Sequence, residues 1–310
     1  MDRKKRVKRL KKLIIGTIVT LMVLPGILAV FFFVKYRTAR NQYLKALDDI
    51  NFYLENHSEM EFLESDVPDV SEPEVQITNQ YKDLTKEEIE KLQLSPEEVY
   101  AGYTKVYLTF DDGPSSNTAP ILDILKEYDV PATFFVNRRD GRNYENLYRR
   151  IVNEGHALGL HSTSHIYSEV YKSEEDFKAD TKELRDFLYM VTGVESDIYR
   201  FPGGSSNHVS KVDMHVFADC LEKEGIVFFD WNVSSQDASS IPQTKESIVR
   251  NVKKGLDGKS EAIILFHDLG SKDATVKALP EIIEYIQGMD NTVILPITTE
   301  TNPIRHLSVE

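Results

Sequence analysis

The sequence predicts an α/β fold in which a parallel sheet of seven strands closes into a barrel, or nearly so. Two observations support this prediction. From residue 105 onward, short apolar stretches alternate with amphipathic stretches of helical period, and polar residues gather where the apolar stretches end. The predicted strands are 105–110, 132–137, 156–161, 197–201, 226–233, 262–267 and 292–297.

The segments between the strands carry apolar residues three and four positions apart, which places those residues on one face of a helix. A helix after a strand returns the chain so that the next strand can run parallel to the first. Examples are TAPILDILKEY, YENLYRRIVNE, EEDFKADTKELRDFLYMVTG and TVKALPEIIEYIQG.

The first 104 residues predict a membrane anchor and a stalk. Residues 1–12 hold eight Lys or Arg and one Asp, and residues 13–34 form an uncharged run long enough to cross a bilayer as a helix. A cleaved signal peptide, the alternative, usually has a shorter apolar region and a small-residue cleavage site. The basic residues favour a cytoplasmic N-terminus, so we expect the rest of the chain outside the cytoplasm. Residues 35–104 are interpreted as a stalk and linker, which leaves the oligomeric state open.

The charge distribution argues against a nucleic-acid partner. The net charge is −13, and because residues 1–12 carry +7, the remainder carries −20. Binding to the phosphates of a nucleic acid needs a basic surface, and the net negative charge of residues 13–310 does not predict one. The single cysteine, Cys220, excludes an internal disulfide and is expected to be a small buried side chain.

Polar side chains stand at the ends of five predicted strands. In α/β barrels the chemistry lies at the carboxyl ends of the strands, so these groups are expected to converge on one mouth. They are Asp111-Asp112, HSTSH (161–165), RFPGGS (200–205), DWNVSSQDA (230–238) and LFHD (265–268).

Three of these side chains predict a metal site. Asp112, His161 and His165 supply the carboxylate oxygen and imidazole nitrogens that zinc and similar ions take. A bound cation would offset the repulsion between adjacent carboxylates and leave Asp111 as a base for water activated by the cation. Taken alone, the two histidines could be unrelated surface residues and the two aspartates an ordinary turn before Gly-Pro. His156 is interpreted as a core histidine with a structural hydrogen bond.

Together these motifs resemble the polysaccharide deacetylase family, the NodB-like carbohydrate esterases of family 4. TFDDG (109–113) and HSTSH (161–165) match in full, RFPGG (200–204) resembles R-x-P-Y-G, and LFHD (265–268) matches L-x-H. The resemblance covers about residues 105–300, which we take as the catalytic domain, with 301–310 as a tail. It implies a distorted barrel of fewer than eight strands and a divalent cation, commonly zinc, with cobalt or another transition metal as alternatives. It also implies removal of acetyl groups from N-acetylated sugars.

The family's roles transfer to matching positions of this sequence. The resemblance implies that Asp111 is the general base, that Arg200 orients it, and that His267 is the general acid. The other implied roles are metal ligation by Asp112, His161 and His165, an N–H donor at Gly203 and an acetyl-methyl pocket lined by Leu265.

Two departures from the family pattern bear on activity. Gly203 stands where the family usually has Tyr, so a wall of the groove is expected to be missing. Aligning WNV with the family's fourth motif places Ser234 at its first Asp, Asp237 at its second and Ala238 at its Trp. Since the first Asp is expected to orient the acid histidine, Ser234 predicts a less raised pKa for His267 and an altered or slower enzyme.

The leading hypothesis is a membrane-anchored, metal-dependent N-deacetylase acting outside the cytoplasm on N-acetylglucosamine of peptidoglycan. A secreted exopolysaccharide is the second candidate substrate. A membrane-tethered glycan-binding scaffold with weakened or no activity is the main alternative, favoured by Ser234 and Ala238. An amidohydrolase for small cyclic ureides is a third hypothesis, against which the outward-facing anchor argues.

Overall fold

The computed structural model of the protein describes residues 100, 102–239 and 241–307. The predicted basic tail (1–12), the membrane span (13–34) and nearly all of the stalk therefore lie outside the described residues. Within the described ranges, no helix combines the length and apolarity needed to cross a membrane.

Strands and helices alternate through the described chain, as the periodicity predicts. In chain order the elements are β1 (Thr104–Asp111), α1 (Thr118–Glu127), β2 (Thr133–Asn137), α2 (Arg142–Asn153), β3 (Ala157–Ser162), α3 (Tyr167–Val170), α4 (Glu174–Thr192), β4 (Ile198–Tyr199), α5 (Met214–Lys223), β5 (Val227–Phe228), β6 (Val233–Ser234), α6 (Lys245–Leu256), β7 (Glu261–His267), α7 (Asp273–Gln287) and β8 (Thr292–Ile294).

The strands form one curled parallel sheet with β1 near its centre. The order is β5-β4-β3-β2-β1-β7-β6, and β8 pairs with β1 beside this path. Strand β1 accommodates two partners on one edge because β8 pairs with its first residues, 104–106, and β2 with its last, 109–111. The long β1–β7 ladder brings Asp111 level with His267. Both polar strand ends therefore lie at the same edge of the sheet.

The predicted strand 226–233 is wrong as a single element. Its first part, β5, pairs with β4, whereas its last part, β6, pairs with β7 at the other end of the sheet order. Between them the backbone changes partners: Asp230 N–H donates to Ile304 O and Asn232 N–H donates to Ile263 O. The segment thus spans the opening between the two ends of the sheet, and the described sheet has eight strands rather than seven.

Side-chain alternation along β1 separates two hydrophobic clusters. Val106, Leu108 and Phe110 belong to the large cluster that includes the helices, and Phe110 stacks on the rings of Phe134 and Phe266. Tyr107 belongs to a second cluster inside the curled sheet. Because successive strand residues point to opposite faces, Thr109 and Asp111 share this inner face with Tyr107. The inner cluster thus forms the floor beneath Asp111.

His156 is a core histidine with a structural hydrogen bond, as predicted. Its Nδ1 accepts from the Ala132 N–H at 3.1 Å, and its ring packs edge-on against Phe134. Burial lowers the pKa of His156 from 6.5 to about 4, because the charged imidazolium would lose its water. Cys220 is also buried, as predicted.

We expect His156 to make the fold sensitive to acid. In the unfolded chain His156 takes up a proton near pH 6.5, whereas in the folded protein it does so only near pH 4. The free energy of unfolding therefore falls as the pH drops from about 6.5 to about 4. The full shift corresponds to about 3 kcal/mol. Urea unfolding of wild type and His156→Gln between pH 4 and 7 measures the effect. The free energy of unfolding of the variant should depend less steeply on pH, by the equivalent of up to one bound proton. Equal slopes for the two proteins would contradict the lowered pKa of His156.

Candidate active site

Asp112, His161 and His165 converge at the carboxyl edge of the sheet. Asp112 Oδ1 lies 3.0 Å from His165 Nε2 and 3.4 Å from His161 Nε2. The three donor atoms lie within 4.8 Å of one another, which makes this the single candidate metal-binding group within the described chain. His161 and Asp112 are buried and His165 is half-buried. The group therefore has one side open to a substrate.

Tight turns after β1 and β3 direct two of these side chains. Asp112 and His165 both have left-handed backbone conformations, with φ of 75° and 53°. Asp and His are among the non-glycine residues that adopt this region most often. The next residue is Gly113, and glycine is needed there because a Cβ would overlap Asp268 Oδ2. Asp268 in turn accepts from Ser115 Oγ and Thr118 Oγ1, which holds the loop that carries the paired aspartates.

The donor set fits a divalent cation. His161 Nδ1 lies 2.6 Å from Arg200 O, and since a carbonyl can only accept, Nδ1 must carry the proton. The Nε2 lone pair of His161 is then left to face Asp112, which is the tautomer a metal ligand requires. An ionised carboxylate and two imidazoles are ligands that catalytic divalent metals take.

Arg200 holds Asp111 in place beside this group. The arginine is fully buried, and its Nη1 donates to Asp111 Oδ1 at 2.9 Å and to Thr109 Oγ1 at 2.6 Å. Its other donors reach the carbonyls of Phe229 and Asp230, and the guanidinium lies 4.3 Å from the centre of the Phe135 ring. A buried guanidinium in which all three nitrogens donate hydrogen bonds has little freedom to reorient. Asp111 is therefore oriented by a rigid partner.

His267 lies on β7, level with Asp111 on β1, and has Asp237 as its partner. Its Nδ1 is 2.8 Å from Asp237 Oδ1, and its backbone N–H donates to Asp237 Oδ2 at 2.8 Å. Thr275 Oγ1 also donates to this carboxylate. Burial acts to lower the pKa of His267, but the hydrogen bond and negative charge of Asp237 outweigh it, so the pKa is raised overall.

The expectation attached to Ser234 is therefore wrong. Ser234 Oγ accepts from Gln236 N–H, while the carboxylate that orients His267 comes from Asp237, three residues further on. The loop after β6 brings Asp237, the second acidic position of the motif, into hydrogen-bond distance of His267. Asp237 supplies the negative charge that Ser234 cannot, and it raises the pKa of His267.

The remaining predicted residues lie at the same mouth. Leu265 is buried on β7, on the strand face shared by Ile263 and His267. Gly203 lies in the loop after β4 with φ of 77°, a conformation that favours glycine. Ala238 is exposed beside Asp237, so no aromatic side chain stands at that position.

Sequence reasoning missed the contribution of the C-terminal segment. Asp230 is buried and accepts from Ser205 N–H at 2.8 Å and from His306 N–H at 2.7 Å. Leu307 N–H donates to Ser205 Oγ, and the His306 ring packs edge-on against Trp231. Residues 304–307 thus hold Asp230 and Ser205 in place, and Ser205 lies in the loop after β4. No local motif marks such a contact, because its partners are about 75 to 100 residues apart in the chain.

A curled parallel sheet with an Asp, His, His group beside an Asp–Arg pair and a His–Asp pair is typical of metal-dependent hydrolases of the α/β class. The sequence profile described as Polysaccharide deacetylase matches residues 98–215. A peptidoglycan-N-acetylglucosamine deacetylase of Bacillus cereus is 32% identical over 204 residues, which cover 64% of this chain and 90% of that protein. The chain belongs to the polysaccharide deacetylase family.

Solved structures agree with this assignment. The catalytic domain of a peptidoglycan N-acetylglucosamine deacetylase from Eubacterium rectale superimposes with a TM-score of 0.63 at 36% identity, covering 68% of this chain and 96% of that one. Another relative, Bacillus subtilis YheN, is 35% identical over 189 residues, or 60% of this chain. The chain spans 64% of the length of YheN.

Proposed function

We propose that the protein is a metal-dependent N-deacetylase that removes acetyl groups from N-acetylglucosamine of a cell-wall glycan. The observation that carries the proposal is the pairing of opposite charges around the metal-binding group. Asp111 is bound to a cation, Arg200, and His267 is bound to an anion, Asp237. Amide hydrolysis requires a group that accepts a proton from water and a group that donates a proton to the leaving nitrogen. A carboxylate and a protonated imidazole can fill these two roles.

The chain's own residues can perform each proton movement of that reaction. Asp111 accepts a proton from the water that attacks the acetyl carbon. The Gly203 N–H donates to the acetyl oxygen as negative charge grows on it. As the carbon–nitrogen bond breaks, His267 gives its proton to the departing sugar nitrogen, which leaves acetate and a free amine. A bound divalent cation supplies Lewis acidity, which lowers the pKa of water and polarises the carbonyl.

The metal is proposed to be zinc, held by Asp112, His161 and His165. Two imidazoles and one carboxylate match the ligand types of catalytic zinc sites and leave coordination positions free. Cobalt or another transition metal would bind the same donors.

Peptidoglycan is the proposed substrate, with a secreted exopolysaccharide as the second candidate. The names of the Bacillus cereus and Eubacterium rectale relatives support N-acetylglucosamine of peptidoglycan. The uncharged run at 13–34 and the basic residues before it support a single-pass anchor with the enzyme outside the cytoplasm, where the wall lies.

Replacing Asp111 with Asn is expected to reduce acetate release from N-acetylated wall glycan by about 10²- to 10⁴-fold, the usual contribution of a general base. The side chain keeps its size but no longer accepts the proton. The matched control is Asp140→Asn, at an exposed aspartate. Equal release by wild type and Asp111→Asn would contradict the proposal, and glycan binding without acetate release by wild type would favour the inactive scaffold.

A further inference from the structure

The Tyr167 hydroxyl lies against the side of Gly203 from which a side chain would extend. A Cβ placed on Gly203 would lie 3.1 Å from the Tyr167 hydroxyl oxygen and 3.5 Å from Cζ of the same ring. The family usually carries a tyrosine at the position of Gly203, and the Tyr167 hydroxyl lies where such a side chain would begin. The aromatic group beside Gly203 therefore comes from the first residue of α3, which follows β3, and not from the loop after β4.

The Tyr167 ring is anchored by its neighbours. It begins helix α3, two residues beyond the ligand His165, whose ring centre is 5.6 Å away. On its other side it stacks on Tyr171 at 6.2 Å with an interplanar angle of 19°. Tyr171 is itself buried and donates to Pro202 O, next to Gly203. These contacts hold the Tyr167 hydroxyl against the third motif.

Two hydrogen-bond donors at this wall are free. Over the described ranges, neither the Tyr167 hydroxyl nor the Gly203 N–H has a hydrogen-bond partner within the protein, whereas the adjacent Gly204 N–H is engaged by Phe201 O. Tyr167 is half-buried. A hydroxyl placed beside a free N–H and next to a metal ligand can bind one more oxygen of a sugar substrate.

We propose that Tyr167 is a substrate-binding and specificity-determining residue whose hydroxyl donates to a sugar oxygen beside the scissile acetamide. It takes the place of the aromatic wall that Gly203 does not provide. The inference rests on the proposed deacetylase function. A purely structural alternative is that the ring only supports His165, and Tyr167→Phe separates the two because it keeps the ring and removes the hydroxyl.

The test measures binding without turnover. Chitotetraose is titrated into zinc-loaded Asp111→Asn protein, and into the same protein carrying Tyr167→Phe or Tyr167→Ala. The Phe change should weaken binding about fivefold, the effect of one net hydrogen bond, and the Ala change should weaken it further. In the otherwise wild-type enzyme, Tyr167→Phe should raise KM with little change in kcat. Tyr189→Phe, at an exposed tyrosine of α4, is the matched control and should change neither.

The possible failures are distinguishable. If wild type releases acetate but Tyr167→Phe binds chitotetraose as tightly as its parent, the role of Tyr167 is overturned and the proposed function stands. If Tyr167→Phe loses zinc by elemental analysis, the residue supports the metal site and the inference is again overturned. If the Asp111→Asn parent does not bind chitotetraose and wild type releases no acetate, the proposed function itself fails.

Discussion

Asp112→Asn is expected to lose the bound cation and to reduce acetate release on the order of 10³-fold or more, since a catalytic metal contributes several kcal/mol to the transition state. Asp112 is the one carboxylate of the candidate metal-binding group, and its Oδ1 lies 3.0 Å and 3.4 Å from Nε2 of the two histidines. Asparagine keeps the shape and tolerates the left-handed backbone at φ 75°, so the turn should survive the change. The loss would then reflect the missing charge.

Elemental analysis of the purified protein measures the metal directly, and acetate release measures the consequence. Asp129→Asn is the matched control, because Asp129 also has a left-handed backbone, at φ 51°, but lies exposed after α1. The control should retain one equivalent of metal. A fully loaded and active Asp112→Asn protein would show that the cation is held elsewhere, and activity that survives thorough chelation would show that none is needed.

Asp237→Asn is expected to reduce kcat/KM about 10²-fold at neutral pH and to move the alkaline limb of the pH–rate profile to lower pH. His267 must be protonated to donate to the leaving nitrogen, so the rate falls as pH rises through the pKa of His267. Asp237 raises that pKa through a 2.8 Å hydrogen bond and its negative charge. Removing the charge lowers the pKa, and less of the acid form remains at neutral pH.

The pH profile separates this effect from a loss of structure. A variant that is only destabilised loses activity at every pH, whereas the predicted variant recovers part of it as the pH is lowered. Asp257→Asn, at an exposed position after α6, is the control and should keep the wild-type profile. An unchanged alkaline limb in Asp237→Asn would exclude His267 as the acid that Asp237 tunes.

Much of the site could be predicted because its residues follow strand ends. Parallel strands place their carboxyl ends at one edge, so Asp111, Asp112 and His161 had to lie near each other once their strands were recognised. The structure places these residues together with His165, Arg200 and His267. The partner of His267 could not be predicted in the same way, because Ser234 and Asp237 lie in one loop and its path decides which of them reaches the ring.

The sequence alone determined the alternation of strands and helices and the residue types at the carboxyl ends of the strands. The alternation follows from local periodicity, and the residue types follow from short motifs. Only the tertiary structure decided that 226–233 divides between the two ends of the sheet. It also decided that Asp237 contacts His267, and that the Tyr167 hydroxyl lies against Gly203. Each of these contacts depends on backbone pairing or packing between different segments of the chain. Several residues could make each contact chemically, and the folded path of the backbone decides which residue does.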